Sequence, residues 1–350
     1  RCGRRRDGDD MKVTDVQVVS VVANTLTART PRQPAPRTAD EAETQVAAFV
    51  ALVTDLLDRP TVAPHDKLDR RPTTLKVILA PEFYFRCPEG QPDGRGHFTQ
   101  QDFIQIMGTV RAELRQLFDR FRPQPWLVMP GTVVWGQEQG NNGVALVNTI
   151  FGVDFTDPAV PAKDILCDKQ YFSAIDGLDR WRNAAQNNQA RPASLGYRSA
   201  QTIALAATTQ AGQPIGVGAE ICLDHAYGVL RSAVTDRDRP ADVDPPPELH
   251  LHVILACGMD LNPLHAAVSP RVTGVVLRCN GNRYNADRAK VIRSDVYRRM
   301  RIPTGGFVWR RDPEVQGRGR IRAVDMGLQR PSRPDGTFDA IGVSPSYPIG

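Results

Sequence analysis

Apolar residues recur along this chain with two different periods, and the segments that carry them alternate. Residues 13–23 are dense in valine and have the length of a buried strand, as does 75–80, which stops abruptly at Pro81 and Glu82. Further runs of this kind predict strands at 126–134, 145–151, 164–169, 202–207, 215–222, 249–256 and 273–279, with shorter ones at 306–309 and 320–324. Between them lie helical patterns. Val46, Phe49, Val50, Val53, Leu56 and Leu57 return every three or four positions up to Pro60, behind a capping box of Thr38 and Glu41. A second helix is predicted over 99–121, where Phe103, Ile106, Met107, Val110, Leu114, Leu117 and Phe121 share one side. Helices placed between groups of strands predict a layered α/β (α+β) domain.

That domain is expected over 13–325, with inserted surface loops at 173–200 and 235–248. Residues 1–12 read as a disordered extension and 326–350 as a C-terminal tail; Met11, followed at once by a strand-like run, reads as the natural start. Much of the formal charge of +5 sits in Arg1, Arg4, Arg5 and Arg6, which read as a solvated tail. Because no basic stripe interleaved with aromatics follows, nucleic acid is not an expected partner. The six cysteines lie far apart and form no C-x-x-C pair, which disfavours a zinc ribbon or a compact disulfide framework and fits a reducing compartment. The first residues lack an apolar signal core, and no apolar run approaches the roughly 18–20 residues that span a bilayer, so a cytoplasmic protein without membrane contact is expected.

Three polar residues of chemical interest share one position in this pattern, at or just past the end of a strand: Glu82, Lys169 and Cys222. Strand ends are where layered α/β folds present reactive groups, since the strand is held while its tip faces a crevice. Each alone has a plainer reading: Cys222 as core packing, Lys169 as a surface lysine, Glu82 as a cap or a partner of Arg86. Together, the words A-P-E-F at 80–83, D-K-Q-Y-F at 168–172 and E-I-C-L-D-H at 220–225 resemble the carbon-nitrogen hydrolase family, the nitrilase superfamily, whose members order Glu, Lys and Cys in this way. P-G-T-V-V-W at 130–135, V-N-T at 147–149 and L-R-C-N-G-N-R at 277–283 resemble its accompanying strands and loops.

The resemblance implies a four-layer α-β-β-α sandwich, pairing into a homodimer or larger homo-oligomer through a helical face, and a thiol hydrolase that needs no cofactor or metal. A free thiol of pKa ~8.5 is a weak nucleophile at neutral pH and wants both a base and a cation. Glu82 would serve as general base and then acid. Lys169 and the backbone N–H of Leu223 would stabilise the oxyanion, and a Cys222 thioester would be resolved by water. The substrate would be a small amide; nitrile or carbamoyl-amine hydrolysis and acyl transfer use the same triad, and a non-catalytic scaffold is the alternative from another class. Asp224 and Arg231 match the frame around the family's cysteine and are expected to brace the turn.

Members commonly carry a second glutamate shortly beyond the lysine; here either Asp176 or Asp179 substitutes or the role is missing, and Glu138 is a further acidic residue expected in a loop. Cys222 follows Lys169 by 53 residues, long enough for an inserted loop over the pocket. Tyr171, Phe172, Asp176, Trp181 and His225 are the candidate substrate contacts, with Tyr197 as a further aromatic wall. Competing constellations are weaker. Cys222 and His225, three residues apart, are poorly placed for a protease-type pair. His250 and His252, with His265, have no acidic or cysteine partner at ligand spacing and read as packed or exposed histidines rather than a metal site.

Overall fold

The computed structural model describes residues 11–22, 39–59, 65–85, 98–121, 124–138, 144–157, 161–171, 201–235, 245–257, 259, 261–281, 295–301, 307–311 and 340–349. Among these, two mixed sheets lie against one another. The first has eight strands: β2 (Asp15–Val22), β3 (Thr74–Leu79), β4 (Phe98–Thr99), β5 (Trp126–Met129), β6 (Thr132–Glu138), β7 (Val144–Phe155), β8 (Lys163–Asp168) and β15 (Ala340–Pro348). They run in the order β15-β2-β3-β5-β7-β6-β4, with β8 also paired to β7. The second sheet, in spatial order, holds β1 (Lys12–Val13), β9 (Thr202–Thr209), β10 (Pro214–Ile221), β11 (Leu249–Ala256), β12 (Val275–Asn280), β13 (Asp295–Arg301) and β14 (Phe307–Arg311).

The valine-rich strands are buried on both faces because each sheet has something to cover on either side. Val16 and Val18 of β2, Leu75, Val77 and Leu79 of β3, and Leu127 and Met129 of β5 enter one core with Ile215, Val217, Ala219 and Ile221 of β10 and Leu251 and Val253 of β11. The alternate residues Val19, Val21, Ile78 and Val128 face the other way, onto helices α1 (Ala39–Asp58) and α2 (Gln100–Asp119). Alternation with period two is what splits β2, β3 and β5 between two cores. The outer side of the second sheet is covered by two short helices, α3 (Leu223–Tyr227) and α4 (Val229–Thr235), with Leu230 packing on Leu249. No helix among the described residues is long and apolar enough to cross a membrane.

Boundaries follow local chemistry. α2 opens on a capping box in which the Asp102 amide donates to the Thr99 hydroxyl and the Thr99 amide donates back to the Asp102 carboxylate. Thr38 of the capping box expected for α1 lies outside the described residues. The single strand expected at 126–134 is two strands, because Pro130-Gly131 turns the chain: Gly131 has φ 105°, and a Cβ there would stand 2.5 Å from the Tyr84 Cβ and 2.7 Å from the Pro81 carbonyl. Gly131→Ala should therefore lower unfolding free energy by about 2 kcal/mol or more in urea titration, and disturb the segment that carries Glu82.

The termini of the domain also depart from expectation. The valine-rich run at 13–23 is broken at Thr14: Lys12–Val13 pairs with β9 of one sheet and Asp15–Val22 with β3 of the other. Residues expected to form a C-terminal tail include β15, which is antiparallel to β2 and is held by Ser346 donating to Asp69 (2.8 Å) and Gln17 donating to the Ser344 carbonyl (2.8 Å). Pro345 falls at the irregularity between Val343 and Ser346, the place an edge strand tolerates a proline. Phe307–Arg311 is a strand as expected, 320–324 lies outside the described residues, and Glu138 ends β6 instead of standing in a loop.

Candidate active site

Glu82, Lys169 and Cys222 converge where the two sheets meet. Glu82 follows β3, whose course continues as Ala80 donates to the Met129 carbonyl at 2.9 Å. The next residue, Phe83, takes φ 62° and is pinned by donating its amide to the Thr132 hydroxyl at 2.9 Å. Lys169 follows β8, with its amide donating to the Asn148 carbonyl at 2.8 Å. Its ammonium lies 2.8 Å from Glu82 Oε1 and 5.7 Å from the centre of the Phe83 ring, and both charged side chains are fully buried. Asn148 of β7 donates from Nδ2 to the same Glu82 oxygen at 3.2 Å. The sequence singled out V-N-T but not this asparagine; its signal is an amide inside an apolar strand with a buried partner to find.

Cys222 comes from the opposite sheet. Its amide donates to the Leu255 carbonyl at 2.9 Å, and its backbone turns at φ 42°, ψ −102°, a conformation natural to glycine. α3 starts at the next residue, so the Leu223 N–H is the first of the helix and lies outside the intrahelical pattern. Burial is the main influence raising the Cys222 thiol well above its ordinary pKa, followed by the Glu82 charge; Lys169 and the Cys257 amide act against them. The balance favours the neutral thiol, hydrogen-bonded to the Glu82 carboxylate.

Asp224 ties the two halves together. Its carboxylate accepts from the amides of Gln170 (2.9 Å) and Tyr171 (2.8 Å), immediately after Lys169, so the turn that carries Cys222 is fastened to the strand end that carries Lys169. Burial lifts Asp224 to about 7 despite these donors. A carboxyl raised in the folded state opposes folding once charged: the penalty is absent below its unfolded pKa near 3.8 and complete above about 7. Lowering pH from 8 to 5.5 should accordingly raise the unfolding free energy by about 2 kcal/mol through this group, and Asp224→Asn should abolish that slope in denaturant titrations. Arg231, expected to brace the same turn, is exposed on α4, with its carbonyl accepting from Thr235.

Of the proposed substrate contacts, Tyr171 stands beside the site with its ring 4.5 Å from that of Tyr227, a 60% exposed neighbour on α3 that the sequence reading passed over. Phe172, Asp176, Asp179, Trp181 and Tyr197 lie outside the described residues. His225 faces away from the thiol. It is fully buried behind α3, where Glu220 Oε1 lies 2.6 Å from His225 Nδ1 and 2.7 Å from His252 Nε2. His252, expected to have no acidic partner, has one in Glu220 across the sheet, a pairing that sequence spacing along a single segment does not show.

Three donor atoms within 4.8 Å of one another have the composition of a metal site. The outer ring nitrogens decide otherwise. His225 Nε2 accepts the Asn262 amide at 3.0 Å and His252 Nδ1 accepts the Ala267 amide at 3.2 Å, so the protons reside on the inner nitrogens, where a metal would bind. Histidines that ligate metals present the opposite arrangement, donating from the outer nitrogen. The set is a hydrogen-bonded clamp of two imidazoles on one carboxylate.

No family model matches the chain, and no curated protein matches it. Among solved structures, the chain is similar to one described as carbon-nitrogen hydrolase from Helicobacter pylori G27, at 11% identity and a TM-score of 0.38, over 86% of this chain and 92% of that one. Likeness at that level carries no weight for activity, and the functional reading rests on the geometry of the chain itself.

Proposed function

We propose that this protein is a thiol hydrolase that cleaves the non-peptide carbon-nitrogen bond of a small amide, on a four-layer α-β-β-α sandwich that pairs into homo-oligomers through a helical face. The supporting observation is the fully buried Lys169–Glu82 ion pair at 2.8 Å beside the Cys222 thiol. A buried ion pair is a poor source of stability, since desolvation cancels most of its attraction, and one placed against a strained cysteine is better explained by chemistry.

The amide carbonyl would enter between Cys222 and Lys169. As sulfur attacks, its proton passes to Glu82, and the electron pair of the carbonyl moves to oxygen, where the Lys169 ammonium and the Leu223 N–H donate to it. Glu82 then returns the proton to the departing nitrogen, leaving a Cys222 thioester and free ammonia or amine. Water, deprotonated by Glu82, attacks the thioester; the carbon–sulfur bond breaks, Glu82 returns the proton to the Cys222 sulfur, and the carboxylic acid leaves and ionises in solvent. Loss of charge from Glu82 coincides with gain of charge on the oxyanion, so Lys169 remains paired throughout; this makes a thiol of raised pKa usable.

The test is to trap the thioester. Wild-type protein mixed with a panel of small amides and quenched in acid should carry an acyl mass on the peptide containing Cys222, removable by neutral hydroxylamine as the matching hydroxamate. Absence of any acyl adduct and of ammonia release across amides, nitriles and carbamoyl-amines would overturn the reading in favour of a non-catalytic binding protein.

A further inference from the structure

Cys222 is held at φ 42°, a backbone conformation that a residue with a side chain resists, and such strain persists only where surrounding contacts over-determine it. Helix α3 is five residues long and cannot supply that constraint by itself. The contacts come from Glu220, two residues before the nucleophile. Its Oε1 accepts from His225 on α3 and from His252 on β11, and its Oε2 accepts the Leu230 amide of α4 at 3.1 Å. His225 in turn accepts the Asn262 amide, and its carbonyl lies 2.7 Å from His265 Nδ1, whose ring lies against Gly228 at the end of α3. One carboxylate thus joins the strand before Cys222, both helices after it and the neighbouring strand.

We propose that Glu220 is a positioning residue for the nucleophile, fixing the turn that aims Cys222 and the Leu223 N–H at the substrate carbonyl, a role that rests on the thiol-hydrolase reading. Glu220 touches neither substrate nor thiol and acts through His225. Without three acceptor positions facing three donors, α3 turns about its axis, Cys222 relaxes to negative φ, and sulfur leaves the reach of Glu82 and of the Cys257 amide. Glu82 and Lys169 are carried by the other sheet and make no contact with Glu220, so their hold on the substrate carbonyl persists.

The variant is Glu220→Gln, which keeps the shape and sets an NH₂ group against an N–H donor in either orientation. His250→Leu is the control: His250 is equally buried on β11 and accepts the Gly216 amide at 3.1 Å, but at the far end of the strand. For Glu220→Gln, kcat for the best amide should fall on the order of 10²-fold with KM within about threefold, as misplacement of a reacting group predicts. Cys222 alkylation by iodoacetamide, followed by peptide mass, should slow by about fivefold or more. His250→Leu should change neither, even where its unfolding midpoint drops as far. An unchanged kcat and alkylation rate in Glu220→Gln, or equal losses in His250→Leu, would overturn the proposal. If wild type turns over no amide, the hydrolase reading fails and the alkylation rates alone decide the clamp.

Discussion

Glu82→Gln should reduce turnover by about 10³-fold or more and, unlike most active-site substitutions, should also destabilise the protein by about 3–5 kcal/mol. The reason is the fully buried contact at 2.8 Å between Glu82 and Lys169. Removing the carboxylate charge leaves the fully buried Lys169 ammonium without the carboxylate it contacts directly, beside the Phe83 ring. Lys169→Met should do the converse, leaving a carboxylate whose partners are Asn148 and a thiol. The double variant Glu82→Gln, Lys169→Met removes both charges together. It should recover most of the lost stability in urea titrations while remaining inactive, because neither proton transfer nor oxyanion stabilisation is left. Additive losses of stability would show that the two side chains are not a coupled pair.

Cys222→Ala should lower turnover by at least about 10⁴-fold, and the larger interest lies in its comparison with Cys222→Gly. At φ 42°, ψ −102° an alanine retains the strain that cysteine bears, whereas glycine adopts this region freely. Glycine should therefore be the more stable of the two inactive variants by about 1 kcal/mol, inverting the usual preference, as read from denaturant midpoints at constant slope. If alanine proves more stable, the turn is not strained and the argument that Glu220 over-determines it loses its premise.

These effects depend on features that were legible to different degrees. Periodicity alone placed β11 correctly at 249–256 and α2 within two residues at either end, since a strand buried on both faces and an amphipathic helix each write a regular pattern into the chain. It failed where a turn or an edge strand left little apolar signal. Pro130-Gly131 was absorbed into one strand, and β15 was overlooked because Gly342, Ser344, Pro345 and Ser346 interrupt its hydrophobic run; its place is decided by Asp69 and Gln17, hundreds of residues away.

For the site, sequence determined that Glu82, Lys169 and Cys222 each stand at a strand end, because the residues before them are apolar runs that stop there. It could not bring them together. Glu82 and Lys169 leave neighbouring regions of one sheet and Cys222 leaves the other, so their meeting depends on how two sheets stack, which is set by contacts summed over the whole shared core. Nor could it show Asn148 on Glu82, Asp224 on the Lys169 strand end, or Glu220 between two histidines drawn from different elements. Those partners are 66, 53 and 32 residues apart or fewer, and hydrogen bonds of this range have no period to betray them. Sequence fixes which side chains each strand carries and on which face; only packing decides which of them find one another.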